Sequence, residues 1–180
     1  MSESREPTSA GPDTLGAMTE VFLTRIDSPI GRIELVADAD AVTSLSIERD
    51  GVLPHDDLPE RPNAVLEAAR TQLHEYFAST RTAFDVPVRL LGTPFQEAVW
   101  AQLLRLGWGE AISYGALAAA VGRPGSARAI GGAVGANPVP ILVGCHRVLA
   151  SDGRITGYSG GEGIPTKLWL LGHERIGFAA

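Results

Sequence analysis

The sequence predicts an α/β protein in two parts: a small N-terminal antiparallel sheet-plus-helix domain, then a mostly helical C-terminal domain with a winged-helix-like helix-turn-helix. Three observations carry that reading. Residues 19–49 alternate β-branched and polar side chains between turn signals. Apolar residues at spacings of three and four mark amphipathic helices after residue 63 and after residue 93. Two short Ala-rich segments separated by Arg123-Pro124-Gly125 have the outline of a helix-turn-helix. The expected divisions are a disordered tail over 1–18, an N-terminal α/β domain over 19–90 and a C-terminal domain over 91–180.

The elements follow in order. Turns at Ser28-Pro29 and Asp38–Asp40 break the first stretch into a meander of short strands. A loop rich in Pro and Asp leads to Asn63, which can cap a helix with Val65, Leu66, Ala69, Leu73 and Phe77 on one face. "AFDVPVRLLGTP" crosses over in extended form. Thr93 caps the next helix, with Pro94 at its first position and Gln96 or Glu97 near N3; Phe95, Val99, Leu103 and Leu106 form its buried stripe. Ser113 caps "YGALAAAVG", Gly122 ends it, and Ser126 caps "ARAIGGAVGAN". Asn137-Pro138 and Val139-Pro140 then push the chain extended, so that Ile141–Gly144 reads as a short buried strand. A last helix spans about 166–175, with Trp169, Leu170 and Leu171 as core.

The composition narrows the class. Apolar residues make up 44% of the 180, which suits a globular chain with a real core. No apolar run approaches membrane-spanning length, and the polar, acidic first residues contain no apolar signal core. The single cysteine forbids an internal disulfide and the usual multi-cysteine zinc site, and it fits a reducing cytoplasm. The net charge of −6 argues at first against nucleic acid, but it is unevenly spread. Residues 1–90 hold eight Arg against sixteen Asp and Glu, whereas residues 91–180 hold six Arg and one Lys against five. The second half is mildly basic and can face phosphate; a solvated acidic surface is the plainer reading of the split.

The lone thiol stands out. Cys145 ends an apolar run, is followed by His146 and Arg147, and precedes a Gly-rich loop. A free thiol is only about 3% thiolate at pH 7, so a neighbouring base raises its reactive fraction. Adjacent residues on a strand point to opposite faces, so coupling to His146 needs a turn or a bridging water. An imidazole acting as base needs an acceptor on its other nitrogen. Glu174 is the candidate, with His173 and Glu162 in competition. The helix "SARAIGGAVGAN" is the other oddity, because three glycines each cost about 1 kcal/mol in a helix interior. Either another helix packs closely there, or a groove of nucleic acid does, with Arg128 as the one long side chain.

The segment "NPVPILVGCHRVLASDGRITGYSGG" resembles the active-site segment of the O6-alkylguanine-DNA alkyltransferases, the methylated-DNA–protein-cysteine methyltransferases. The similarity extends through "TPFQEAVWAQLLRLGWGEAISYGALAAAVGRPGSARAIGGAVGANP" and on to "KLWLLGHE", covering residues 91–176. The first half agrees only in its order of strands and helix. The resemblance implies a suicide repair protein that flips O6-alkylguanine out of duplex DNA and takes the alkyl group irreversibly. Cys145 would be the nucleophile, His146 would accept its proton through a water, and Glu174 would hold the imidazole. Asn137 would brace the turn before the cysteine, and Tyr114 would help rotate the nucleotide and hydrogen-bond the leaving guanine oxygen. Arg128 would fill the gap in the base stack. Ser113, Tyr114, Ala127, Gly131, Gly135 and Ser151 would join it on the DNA, with the bare helix in the minor groove. Gly144, Val148, Gly157, Tyr158, Ser159 and Gly160 would form the substrate pocket.

The same resemblance implies no cofactor and no metal, a monomer that can bind DNA cooperatively, and no membrane partner. Two departures stand out. Gly144 replaces the usual Pro, which would remove a ring from the pocket wall, and "GGEGIPTKLWLL" is about two residues longer than usual, which puts the register of Glu174 in question. Rival readings are a non-catalytic binder of alkylated DNA, a transcriptional regulator and a Cys-His hydrolase. Cys145 counts against the first, and no effector domain or nucleophile elbow supports the others.

Overall fold

The computed structural model describes residues 21–179, so the expected tail over 1–18 lies outside the described residues. Strands β1 (Phe22–Ile26), β2 (Ile33–Ala37) and β3 (Val42–Ile47) form an antiparallel meander in the order β1-β2-β3. The Asp38 carboxylate accepts the backbone N–H groups of Asp40 and Ala41, which closes the β2–β3 turn. Helix α1 (Ala64–Phe77) packs on this sheet, and Asn63 caps it by accepting the Leu66 N–H. Its buried face is Leu66, Ala69, Gln72, Leu73 and Tyr76; Val65 and Phe77, expected on that face, lie at its half-buried margin. The extended crossover touches the sheet at Val42, which donates to Pro87 O and accepts from Arg89 N.

Helix α2 (Pro94–Leu103) begins with the full capping box between Thr93 and Gln96. Strand β4 (Ile112–Ser113) leads into α3 (Tyr114–Ala120), whose first turn Ser113 caps through Ala116 N. Positive φ values at Gly122 and Gly125 turn the chain into α4 (Ala127–Gly135). Ser126 occupies the N-cap position but makes no side-chain cap bond, contrary to expectation; its ψ of 31° is outside the extended range that aims a capping hydroxyl at the helix. The Trp100 indole N–H donates to Ala133 O at 2.8 Å and pins α4 to α2.

The strand expected over Ile141–Gly144 does not form. Pro138 and Pro140 remove two donors, and the Asn137 side chain takes over the backbone's role, accepting Val139 N and donating to Val143 O. Ile141 adopts φ +73°, rare for a β-branched residue, and reverses the chain. The result is a compact turn that ends in a 3₁₀ turn, Cys145–Arg147, and then β5 (Val148–Leu149), paired in parallel with β4. Helix α5 (Ile164–His173) closes the core, with Leu170 and Leu171 buried and Trp169 only partly so.

Candidate active site

The 3₁₀ turn sorts three consecutive side chains. Cys145 faces a cavity of about 740 Å³, while His146 and Arg147 turn back into the protein toward Glu174. The Cys145 sulfur is 3.9 Å from the Tyr158 hydroxyl. Burial pushes the thiol above its ordinary pKa, against hydrogen bonds from Asn137 and Tyr158 and the pull of the Lys167 cation. The resting sulfur is therefore a protonated thiol that needs a base.

His146 supplies the candidate. It is fully buried, and Nε2 lies 2.9 Å from Glu174 Oε1. Burial lowers its pKa despite the carboxylate, so the imidazole rests neutral near pH 7. An ionised Glu174 fixes the proton on Nε2. That leaves the lone pair of the buried Nδ1, which has no partner among the described residues, to accept a proton. Burial pushes the Glu174 carboxyl up, but hydrogen bonds from His146 and Arg147 outweigh it and bring its pKa down to about 2. Arg147 grips the carboxylate with Nε at 2.7 Å and Nη2 at 2.9 Å, and donates through Nη1 to Leu106 O. Of the three candidates, Glu174 is the one that meets the His146 ring. Glu162 is exposed and accepts Asp50 N instead, and His173 bonds Tyr76 O.

The cavity brings together Cys145 with Tyr114, Ala127, Arg128, Gly131, Gly135, Ser151, Gly157, Tyr158 and Ser159. Five other expected residues lie outside this cavity, Asn137 among them because it braces the turn as expected. Ser113 serves as the α3 cap, and Asn137 and Gly160 line a second hollow of about 690 Å³ behind the loop. Val148 is buried, its carbonyl taken by Lys167 Nζ at 2.6 Å. The reading of Gly144 as a missing piece of pocket wall needs correction. It does not line the cavity, and a Cβ there would meet Arg147 Cδ at 2.8 Å, so the glycine makes room for the arginine that holds Glu174.

Sequence reasoning passed over three side chains of this site. Lys167, which also donates to Gly157 O and lines the cavity, has its pKa lowered to about 8 by burial. Arg147 was visible only as part of the Cys-His-Arg run. Tyr76, buried on α1, is absent from the apolar face read in the sequence, which has its neighbour Phe77 instead.

The surface beside the cavity is bare. Ala127, Arg128, Ala129, Gly132, Gly135 and Ala136 of α4 and its end are exposed. A Cβ on Gly132 or Gly135 would meet nothing within 4 Å, and one on Gly131 only the Tyr114 ring at 3.9 Å. Close helix packing is thus not what these glycines serve. The Arg128 side chain makes no hydrogen bond or ion pair among the described residues, and the same holds for the side chains of Arg105, Arg123 and Arg175. No group of three His, Cys, Asp or Glu among those residues is arranged to hold a metal.

A recessed thiol with a buried His-Glu pair behind it, opening beside the second helix of a helix-turn-helix, defines a cysteine-dependent protein built on a nucleic-acid-binding fold. The family model described as 6-O-methylguanine DNA methyltransferase, DNA binding domain, matches residues 94–176, and its ribonuclease-like domain matches 21–90. A methylated-DNA–protein-cysteine methyltransferase of Mycobacterium tuberculosis is 43% identical over 150 residues, 83% of this chain and 90% of the relative. One of Haemophilus influenzae is 35% identical over 166 residues, 88% and 89% of the two chains. The crystal structure of Mycobacterium tuberculosis O6-methylguanine methyltransferase aligns with a TM-score of 0.77 at 41% identity, over 87% of this chain and 93% of that one. The structure titled Mycobacterium tuberculosis OGT in complex with DNA gives the same score and identity over 86% and 93%. This chain belongs to the methylated-DNA–protein-cysteine methyltransferase family. Its α/β fold is the one the sequence predicts.

Proposed function

We propose that this chain repairs DNA directly, taking the alkyl group from O6-alkylguanine onto Cys145 in a single irreversible transfer. The observation that carries the proposal is the position of the thiol. It lies in the cavity that opens beside the slim face of α4, with a neutral imidazole already oriented behind it.

The steps follow from the groups present. The unpaired cation of Arg128 and the small side chains of α4 let the helix enter the minor groove of duplex DNA, and Arg128 takes the place of the extruded base. The damaged guanine enters the cavity between Tyr114 and the loop of Tyr158 and Ser159. The Cys145 S–H proton passes to His146 Nδ1, directly or through one water. The sulfur pair attacks the alkyl carbon, and the C–O6 bond breaks with its pair on the guanine oxygen. Tyr114 donates a hydrogen bond to that oxygen as its charge develops. Guanine is restored by uptake of a proton, and Cys145 is left a thioether, a poor leaving group with no route back. The imidazolium is stabilised by Glu174, which Arg147 holds in place. Neither cofactor nor methyl donor enters this balance. The protein acts as a monomer, in a reducing compartment such as the cytoplasm, where a thiol persists.

Intact mass after incubation with an oligonucleotide carrying O6-methylguanine tests the reading. One methyl replaces one hydrogen, on the Cys145 peptide only, and Cys145→Ser gains nothing. Retention of DNA with no gain in mass would reduce the protein to a binder of lesions.

A further inference from the structure

We infer that Tyr76, contributed by the first half of the chain, is a positioning residue for the transfer: its hydroxyl, seated on Glu174 Oε1, sets how strongly that carboxylate holds the His146 imidazole. The inference rests on the alkyl-transfer reading above. It gives the N-terminal domain a part in the chemistry, where the sequence suggested none.

The geometry is that of a crowded carboxylate oxygen. Glu174 Oε1 accepts the Tyr76 hydroxyl at 2.8 Å, His146 Nε2 at 2.9 Å and Arg147 Nη2 at 2.9 Å; Oε2 accepts Arg147 Nε at 2.7 Å. Three donors thus converge on Oε1, which has two lone pairs to offer, while Oε2 takes one, so the Tyr76 hydroxyl and the His146 N–H compete for the same oxygen. Tyr76, His146 and Glu174 are each at most 1% exposed, so bulk water does not reach the oxygen they share. The phenol stays a donor at every working pH, because burial and the Glu174 charge push its pKa far above the ordinary value.

Tyr76 is itself clamped. Its backbone carbonyl accepts His173 Nε2 at 2.8 Å, and its ring meets His173 and Trp108 edge-on, with centroids 4.9 and 5.4 Å away. One residue of α1 therefore grips two consecutive residues at the end of α5, and the second of these is the acceptor on which His146 depends. A tyrosine kept only for packing would need no hydroxyl at this point; phenylalanine fills the same space.

The sign of the effect follows. Each donor on Glu174 shares its negative charge and weakens its pull on the imidazole proton. The other charged groups acting on His146 are Lys167 of α5 and Arg147 on its own turn, both of which oppose an imidazolium, and Cys145 precedes it in the same turn. Removal of the hydroxyl leaves Glu174 more basic, the imidazolium easier to form and the neutral base scarcer at low pH.

The test is the pH profile of the single-turnover rate between pH 5 and 8.5, with an O6-methylguanine oligonucleotide, for wild type and Tyr76→Phe. A hydrogen bond to a buried charge predicts an acid limb displaced upward by about half to one pH unit. The rate on that limb falls roughly three- to tenfold, and the high-pH plateau stays within about twofold. 3-Fluorotyrosine at position 76, a stronger donor with the ring retained, moves the limb the other way. Imidazole NMR titration of His146, read in a Cys145→Ser background, moves in step with both replacements. A profile and titration that neither replacement shifts overturn the inference, and so does a uniform loss of rate at every pH, the mark of a packing defect. If wild type takes up no methyl, the functional reading fails, while the NMR titration still decides the role of Tyr76.

Discussion

Behind Cys145 the protein is charged, buried and densely hydrogen-bonded, with His146 Nδ1 left open toward the reaction; in front of it the protein is small, exposed and unbonded. Glu174 and His146 are both inaccessible to solvent, and Arg147 is nearly so. Each is tied to a different segment of chain: α1, the Leu106 turn and the end of α5. The α4 face carries alanines, glycines and one free arginine, and adding atoms to its outer glycines disturbs nothing within the fold. The difference separates two tasks. Orienting a base requires groups that cannot move, and low dielectric makes their hydrogen bonds strong. Admitting a duplex requires the reverse, a surface with no internal commitments to break. The acidic total charge hides the second region, while several arginines of the sheet domain are spent on its own carboxylates. Arg25 pairs with Glu34, Arg32 with Glu48 and Asp56, and Arg89 with Asp38.

The largest expected effect comes from breaking the wall behind the thiol. Arg147→Met removes the paired cation from a buried carboxylate, which costs about 3–5 kcal/mol when the remaining charge is left uncompensated. Urea unfolding at pH 7 measures it. The Glu174 carboxyl has a folded pKa of about 2, below its ordinary value near 4.5. It therefore stabilises the fold fully above 4.5 and loses that contribution as pH falls toward 2. The gap between variant and wild type should narrow across that same window. A loss under about 1 kcal/mol at pH 7 would mean that the network is ornamental and that the two regions differ less than their burial suggests.

The next effect falls on the front. Arg128→Ala removes an exposed side chain with no partner among the described residues, so unfolding should be unaffected within about 0.5 kcal/mol. Repair within duplex DNA should fall by about tenfold or more, since extruding a base costs a few kcal/mol. Reaction with free O6-benzylguanine base, which needs no extrusion, should keep its rate. Equal losses on the duplex and on the free base would place Arg128 in the reaction itself and blur the division between front and back.

Much of the frame around the site is readable in sequence because local chemistry writes it. Asn63, Thr93 and Ser113 cap as their residue types predict, and the glycines of the 121–126 turn fall where φ is positive. The wall behind was harder to read because its contacts are remote. Tyr76 and Glu174 lie 98 positions apart, and beside Phe77 a tyrosine on an amphipathic helix looks like core. Lys167 has no sequence signal of its own, yet its stem is buried and its ammonium group caps two carbonyls. The Ile141–Gly144 run was misjudged for another reason. Apolar, β-branched residues favour a strand, but here a side-chain amide from Asn137 replaces the missing ladder and Ile141 accepts a strained φ.

The smallest effect sharpens the contrast most. Gly132 is in the interior of α4, where glycine costs about 1 kcal/mol relative to alanine, and the space beyond its Cα is open. If the residue served the fold, alanine would crowd a neighbour and destabilise it. If it serves the partner, Gly132→Ala should raise unfolding stability by about 0.5–1 kcal/mol. The same methyl should weaken transfer from duplex DNA by about two- to fivefold through a less intimate fit, a change of under 1 kcal/mol. The rate with free base should not change. A gain in stability with duplex repair unaltered would mean that α4 does not approach the nucleic acid closely at this point, and the glycine would then be a cost that nothing in the structure explains.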